Sequence, residues 1–158
     1  MEKPSVIHSS FTLERRFGCA AAKVFGALAE PEKKRRWFSD SPNHDVLEFV
    51  MDFRAGGAEK MKYRFNNQTR FPGVILENAG RYEDIVEGRR VVQTSTMTIA
   101  GRRISVSLVT YDLLPEGEGT LLRLTFQGVF FEGADGPEIR KAGWEFLMER
   151  LGELLGGE

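Results

Sequence analysis

Tyrosine, histidine and cysteine are the side chains here best suited to move protons or attack an electrophile, and the chain has few of them. Tyr63 shares the inward parity of a strand and can place its hydroxyl in a pocket. Tyr82 and Tyr111 are expected half-buried, with hydroxyl tips in water. His44 opens a strand after "DSPN". It would serve as a general base only if a substrate reached it. No Ser-His-Asp or Cys-His constellation accompanies it, so it reads as a solvated loop histidine. Cys19 opens a helix in "FGCAAA"; helix N-termini stabilise thiolates, but these small apolar neighbours point to packing. No catalytic residue is assigned, and an enzyme is the less expected class. With 1 Cys and 2 His, neither a disulfide framework nor a Cys/His metal site can be built. No cofactor and no metal are expected.

The charged residues read as surface. The run "EKKRR" at 32–36 resembles a basic recognition stretch, yet 22 Lys and Arg stand against 23 Asp and Glu. A solvated helix face is expected there, and no nucleic-acid partner. Arg81, Glu83, Asp84 and Arg89 read as exposed pairs of small value, roughly 0–1 kcal/mol. "RAGGAEK" lacks the spacing of a phosphate loop. No apolar run reaches the roughly 20 residues a membrane span needs. No charged-then-apolar leader pattern is present, so the expected address is the cytoplasm.

The elements that must position these groups are legible from periodicity. "VLEFVMDFRAGGAEKMKYRF", residues 46–65, alternates. Leu47, Phe49, Met51 and Phe53 take one parity, with Glu48, Asp52 and Arg54 opposite. After the turn, Met61, Tyr63 and Phe65 oppose Lys60, Lys62 and Arg64. That is a hairpin with one bulky face and one charged face. "IHSSFTLERRF" reads as a first strand, "CAAAKVFGALAE" and "EKKRRWFS" as two short helices separated by Pro31. Later turns at "EGRR", "AGRR" and "PEGEG" divide the chain into further strands, with Gly80 expected at a bulge or kink. On 91–99, either the Thr94/Thr96/Thr98 set or the Gln93/Ser95/Met97 set can face inward. The end changes period. Trp144, Leu147, Met148, Leu151, Leu154 and Leu155 fall at helical spacing after Pro137, and Gly156–Gly157 stops the helix.

The predicted fold class is α+β, in the order strand, two short helices, six strands, long helix. One apolar sheet face and one apolar helix stripe must cover each other, and a twisted antiparallel sheet wraps the helix. A single domain is expected over 1–158, with its core at about 7–155.

This order is that of the helix-grip fold of START-like proteins. The chain resembles bacterial proteins similar to the C-terminal domain of the heat-shock chaperone ATPase activator. The resemblance is carried by "VFGALAEPEKKRRWF", "FRAGG", "GRYEDIVEGRRVV", "MTIAGRRISVSLVTYDLLPEGEGTLLRLTFQG" and "GWEFLMERLGELL". Phe25 stands where the family often has Trp, and Phe126 where it often has Glu before Gln-Gly, which makes the interior drier.

The resemblance implies a cavity between sheet and long helix. Its wall would be Phe49, Met51, Phe53, Met61, Tyr63 and Phe65, joined by Leu122, Leu124 and Phe126. Trp144, Met148 and Leu151 would roof it, with Trp37 and Phe38 near an opening. The expected partner is a small hydrophobic or amphipathic ligand, bound without chemistry. The alternatives are a cyclase-like enzyme using an inward Tyr or Thr, and a chaperone-accessory or other interaction module, as monomer or homodimer. The resembled activator has a further N-terminal domain, so stimulation of a chaperone is not expected to carry over.

Overall fold

The computed structural model describes residues 5–156. Seven strands form one antiparallel sheet: β1 (Ile7–Phe17), β2 (His44–Met51), β3 (Ala58–Phe65), β4 (Ile75–Val86), β5 (Arg90–Ile99), β6 (Arg102–Glu116) and β7 (Gly119–Phe130). Their spatial order is β1-β7-β6-β5-β4-β3-β2. Strands β2 to β7 form a meander of hairpins, and β1 closes onto β7. Between β1 and β2 the chain forms α1 (Ala21–Ala29), the single turn α2 (Pro31–Lys34) and one π-helical turn, Arg35–Ser39. The final helix is α3 (Pro137–Gly156). This is the helix-grip arrangement that the order of elements predicts.

Local chemistry explains the elements. Pro31 takes the first helical position of α2, where its missing N–H costs nothing. Pro137 opens α3 in the same way, after Gly136 at φ 91°. Arg140, Trp144, Met148, Leu151 and Leu155 form the buried stripe of α3, the three-and-four spacing of one helix face. That stripe meets Phe17, Leu122, Leu124, Phe126, Phe130, Tyr111 and Leu113 of the sheet, with Val24, Phe25 and Leu28 of α1, in one continuous core. Helix α3 packs on β1, α1 and the π turn.

Register decides which side chains face inward. Glu59 pairs with Gly80, Gly80 with Ser95, and Ser95 with Ser107. Met61 pairs with Asn78, Asn78 with Met97, and Met97 with Ser105. The Gln93/Ser95/Met97 set of β5 therefore points inward with buried Met61 and Glu59, and the three threonines point out. A bulge between Val46 and Glu48 breaks the simple alternation of β2. Leu47 consequently ends 43% exposed, not among the bulky inward residues, and Val46 sits opposite Tyr63 instead. The bulge expected at Gly80 falls between Tyr82 and Asp84. Gly80 itself answers a close approach: a β-carbon there would lie 1.8 Å from the Thr94 carbonyl oxygen.

Candidate functional site: a polar cluster beside an uncovered concave face

Sequence parity alone assigns Glu59 to the bulky face of β3, and the structure buries it there at 6% exposure. A lone carboxylate in such a place would be costly. Three donors meet it. Lys34 Nζ on α2 lies 3.1 Å from Oε2. The Tyr82 hydroxyl on β4 donates to the same oxygen. Gln93 Nε2 on β5 donates to Oε1 at 3.2 Å. Burial pushes the Glu59 carboxyl up, but Lys34 and then the Tyr82 and Gln93 hydrogen bonds outweigh it and leave it below its ordinary value.

Lys34 is only 1% exposed. The "EKKRR" stretch is therefore not wholly a solvated face. Helical spacing in a short, tight turn aims Lys34 at the sheet while Arg35 and Arg36 stay exposed. Its ammonium sits over three rings, 4.6 Å from the Phe38 centroid and 5.5 Å from those of Trp37 and Tyr111. Rings so placed supply part of the solvation that water would give.

Tyr82 and Tyr111 are wholly buried, at 0% and 1%, against the expectation of wet hydroxyl tips. Curvature of the sheet brings both under α2 and the core. Burial, then the Glu59 charge, raises the Tyr82 and Tyr111 hydroxyls well above the ordinary tyrosine value. With Glu59 shifted down and Tyr82 up, the pair holds its proton on the phenol through the neutral range. A general base poised near pH 7 needs the opposite tuning. Two of its buried atoms, the Tyr111 hydroxyl and Gln93 Oε1, have no hydrogen-bond partner among the described residues.

A second charged pair lies at the start of α3. Arg140, 8% exposed, donates from Nε and Nη2 to the two Asp135 carboxylate oxygens, each at 2.8 Å. Nη2 also reaches Ser105 Oγ at 3.0 Å and Met97 Sδ at 3.3 Å. The guanidinium stands 5.0 Å from the Phe130 centroid and 5.8 Å from that of Phe126.

Between these two pairs the inward face of the sheet changes character. Asn78, Gly80, Ser95 and Met97 point toward the interior yet retain solvent access. Phe49, Met51, Tyr63 and Phe65 continue that half-buried surface toward β2, with Met61 buried at 4%. Burial raises the Tyr63 hydroxyl to about 12, although Arg140 pulls it down. Its ring stacks on His44 at 3.6 Å. His44 is not a free loop side chain; its ring nitrogen Nε2 donates to the Ser39 carbonyl.

The remaining cavity candidates sit deeper or at the rim. Leu122, Leu124, Phe126 and Leu151 are fully buried among protein atoms, and Phe126 stacks on Phe11 at 4.8 Å. Trp37 is buried and donates from Nε1 to the Ala27 carbonyl at 2.8 Å. Phe38 bridges Trp37 and Trp144, with ring centroids 5.5 and 5.9 Å away. Met148 lies beneath α3 in the core, and Phe53 packs edge-on against Phe25 and Tyr82. The structure thus brings Trp37, Phe38 and Trp144 together and gathers Phe49, Met51, Met61, Tyr63 and Phe65 on another part of the same side. Two surface clefts, of about 480 and 390 Å³, lie elsewhere. One is on the outer rim at Lys62 and Glu77, the other between Arg15, Cys19 and Gly152.

Sequence reasoning missed Lys34, Glu59 and Arg140, and left Gln93 in one of two possible inward sets. Glu59 alone carried a signal, its parity with Met61 and Tyr63. The others are polar residues on faces whose burial depends on how elements pack.

The helix-grip order and this sheet topology have close counterparts. Residues 19–156 match the family model of Activator of Hsp90 ATPase homolog 1-like protein. The chain belongs to that family. A protein of Rhizobium leguminosarum has the same fold with a TM-score of 0.91 at 30% identity, over 99% of this chain and 100% of that one. The Mll3558 protein from Rhizobium loti is 37% identical, with a TM-score of 0.85 over 95% and 99% of the two chains. An AHSA1-like protein from Aeromonas hydrophila shares the fold at 15% identity and a TM-score of 0.69, over 94% and 93%. No curated protein matches the chain. Family and fold together support a ligand-binding or interaction module in general. Among the described residues, no helix is long and apolar enough to cross a membrane.

Proposed function

We propose that the protein binds a small hydrophobic or amphipathic molecule between the curved sheet and α3. One observation carries this reading: Asn78, Gly80, Ser95 and Met97 face inward but stay solvent-accessible, because α3 lies toward β1 and the π turn. Met51, Met61 and Met97 beside Phe49, Tyr63 and Phe65 supply an adaptable apolar wall. A mostly apolar concavity with a few polar groups is the usual form of a small-molecule site. Phe38, half-buried between buried Trp37 and Trp144, marks where the π turn approaches α3.

Native mass spectrometry of the gently purified protein, paired with a crystal structure of the same material, tests this. A co-purifying small molecule with density over Ser95 and Asn78 is expected. A sheet face closed by protein side chains, with nothing bound, would sink the reading. In each buried pair the charge meets an opposite charge, which favours binding over proton-transfer catalysis.

A further inference from the structure

The charges around the concave face are already balanced. Lys34 is paired with Glu59 at 3.1 Å, and Arg140 with Asp135 at 2.8 Å. Neither cation is left to neutralise a ligand carboxylate or phosphate stripped of water, and neither carboxylate is left for an ammonium. Burying an uncompensated ionic head is strongly unfavourable.

The neutral polar groups are in the opposite condition. The Tyr63 hydroxyl, the Asn78 amide and the Ser95 and Ser107 hydroxyls make no side-chain hydrogen bond to any described residue. All four face inward by register, on four consecutive strands. Ser107, at 8% exposure, is almost out of water. Arg140 commits Nε and Nη2 to protein, and its Nη1 has no partner among the described residues. These groups offer hydroxyl and amide donors and acceptors, plus one guanidinium N–H, around Gly80, which carries no side chain of its own.

We infer that the ligand is an uncharged amphipathic molecule whose hydroxyl, carbonyl or amide oxygen is read by Asn78, Ser95, Ser107 and Tyr63, and that the Asp135–Arg140 pairing makes the site select against anions. This rests on the binding reading above. A fatty-acid-like or phosphate-bearing ligand would need a free cation; Lys34 and Arg140 are held by carboxylates, and Arg150 is committed to the Asp40 and Arg36 carbonyls. A purely apolar molecule would leave four polar groups both dry and unpaired, which costs more than their exposure.

The test uses three probes that share a flat body and differ in head group: naphthol, naphthoate and naphthalene. Each is titrated into the full chain at about pH 7, where the naphthoate is ionised, and followed by amide NMR shifts on β3 to β6. Naphthol is expected to bind at least about tenfold more tightly than naphthoate, one hydrogen bond's difference or more. Asp135→Asn frees the guanidinium and is expected to raise naphthoate affinity about tenfold. Asn78→Leu, which leaves that pair untouched, is expected to weaken naphthol alone. Naphthoate binding as tightly as naphthol in the unmodified protein would overturn the assignment while leaving the binding reading intact. So would naphthalene binding as tightly as naphthol. Failure of all three probes to shift these strands would overturn both.

Discussion

Lys34 on α2 and Glu59 on β3 meet at 3.1 Å with 1% and 6% of their side chains exposed. This contact ties the segment carrying Trp37 and Phe38 to the middle of the sheet. Desolvating both ions costs about what their attraction returns, so the pair specifies placement more than it stabilises. Removing one partner is different, because the other is left charged and buried. Lys34→Met is therefore expected to destabilise the protein by about 3–5 kcal/mol. Lys34→Met with Glu59→Gln should recover much of that loss. Denaturant midpoints for the two variants check the order; equal losses would refute it.

The tyrosines separate a made bond from an unmade one. Tyr82 donates to an ionised carboxylate, so Tyr82→Phe is expected to cost about 1.5–3 kcal/mol. The Tyr111 hydroxyl has no partner among the described residues, so Tyr111→Phe is expected to be neutral or stabilising. Urea unfolding of both variants measures the contrast. A larger loss at Tyr111 would mean that a bound water or ligand normally satisfies its hydroxyl.

What the sequence disclosed and what it withheld follow different physics. Strands, turns and α3 rest on local periodicity and on Pro137, Gly56 and their like, so they were readable. The inward set of β5 was not readable, since Thr94 and Ser95 are both small and polar; only the pairing of Ser95 with Gly80 and Ser107 decides it. Lys34 was hidden for another reason. Among Lys33, Lys34, Arg35 and Arg36, the chemistry is nearly uniform, and the angle at which a one-turn helix meets the sheet selects which one is buried. Leu47 misled because it is the extra residue of the bulge: Val46 takes the inward place opposite Tyr63, while Phe49 and Met51 beyond it keep the expected parity.

Acid sensitivity should be traceable to His44. Its pKa is lowered by burial; the Ser39 carbonyl opposes this, Arg150 adds to it, and Asp40 and Asp45 oppose it. A histidine whose folded value is depressed binds more protons when unfolded. Stability is therefore expected to fall as pH drops through the unfolded value, about 6.5, and to keep falling until the lower folded value is passed. His44→Gln should flatten that limb. Glu59, also depressed, contributes above its unfolded value and loses its contribution at lower pH, below about 4.3. Thermal melts from about pH 8 to about pH 2 resolve the two limbs, and an unchanged upper limb in His44→Gln would refute the assignment.

Gly80 predicts a backbone effect. A β-carbon at 1.8 Å from the Thr94 carbonyl oxygen, and at 2.8 Å from its carbon, meets main chain on the neighbouring strand and no movable side chain. Gly80→Ala is expected to lose more than about 3 kcal/mol, near the upper range of single substitutions, by forcing β4 and β5 apart. Gly143, whose added β-carbon meets nothing within 4 Å, lies on the exposed side of α3. Gly143→Ala should gain about 0.5–1 kcal/mol from helix propensity. Paired denaturant curves for the two variants give opposite signs if the close approach at Gly80 is real.

Ser95 offers a way to separate binding from folding. It faces inward beside Gly80 and Ser107, is not fully buried, and makes no side-chain bond to a described residue. A larger apolar group there would occupy space over the concave face without removing an existing contact. Ser95→Leu is expected to leave stability within about 1 kcal/mol of the unmodified protein, because added apolar burial offsets the cost of crowding. The same change should abolish any co-purifying molecule. Native mass spectrometry and urea unfolding on one preparation test both halves. If Ser95→Leu unfolds the protein, that space is already filled by protein and the concave face is core; if it folds and still carries ligand, the ligand sits elsewhere.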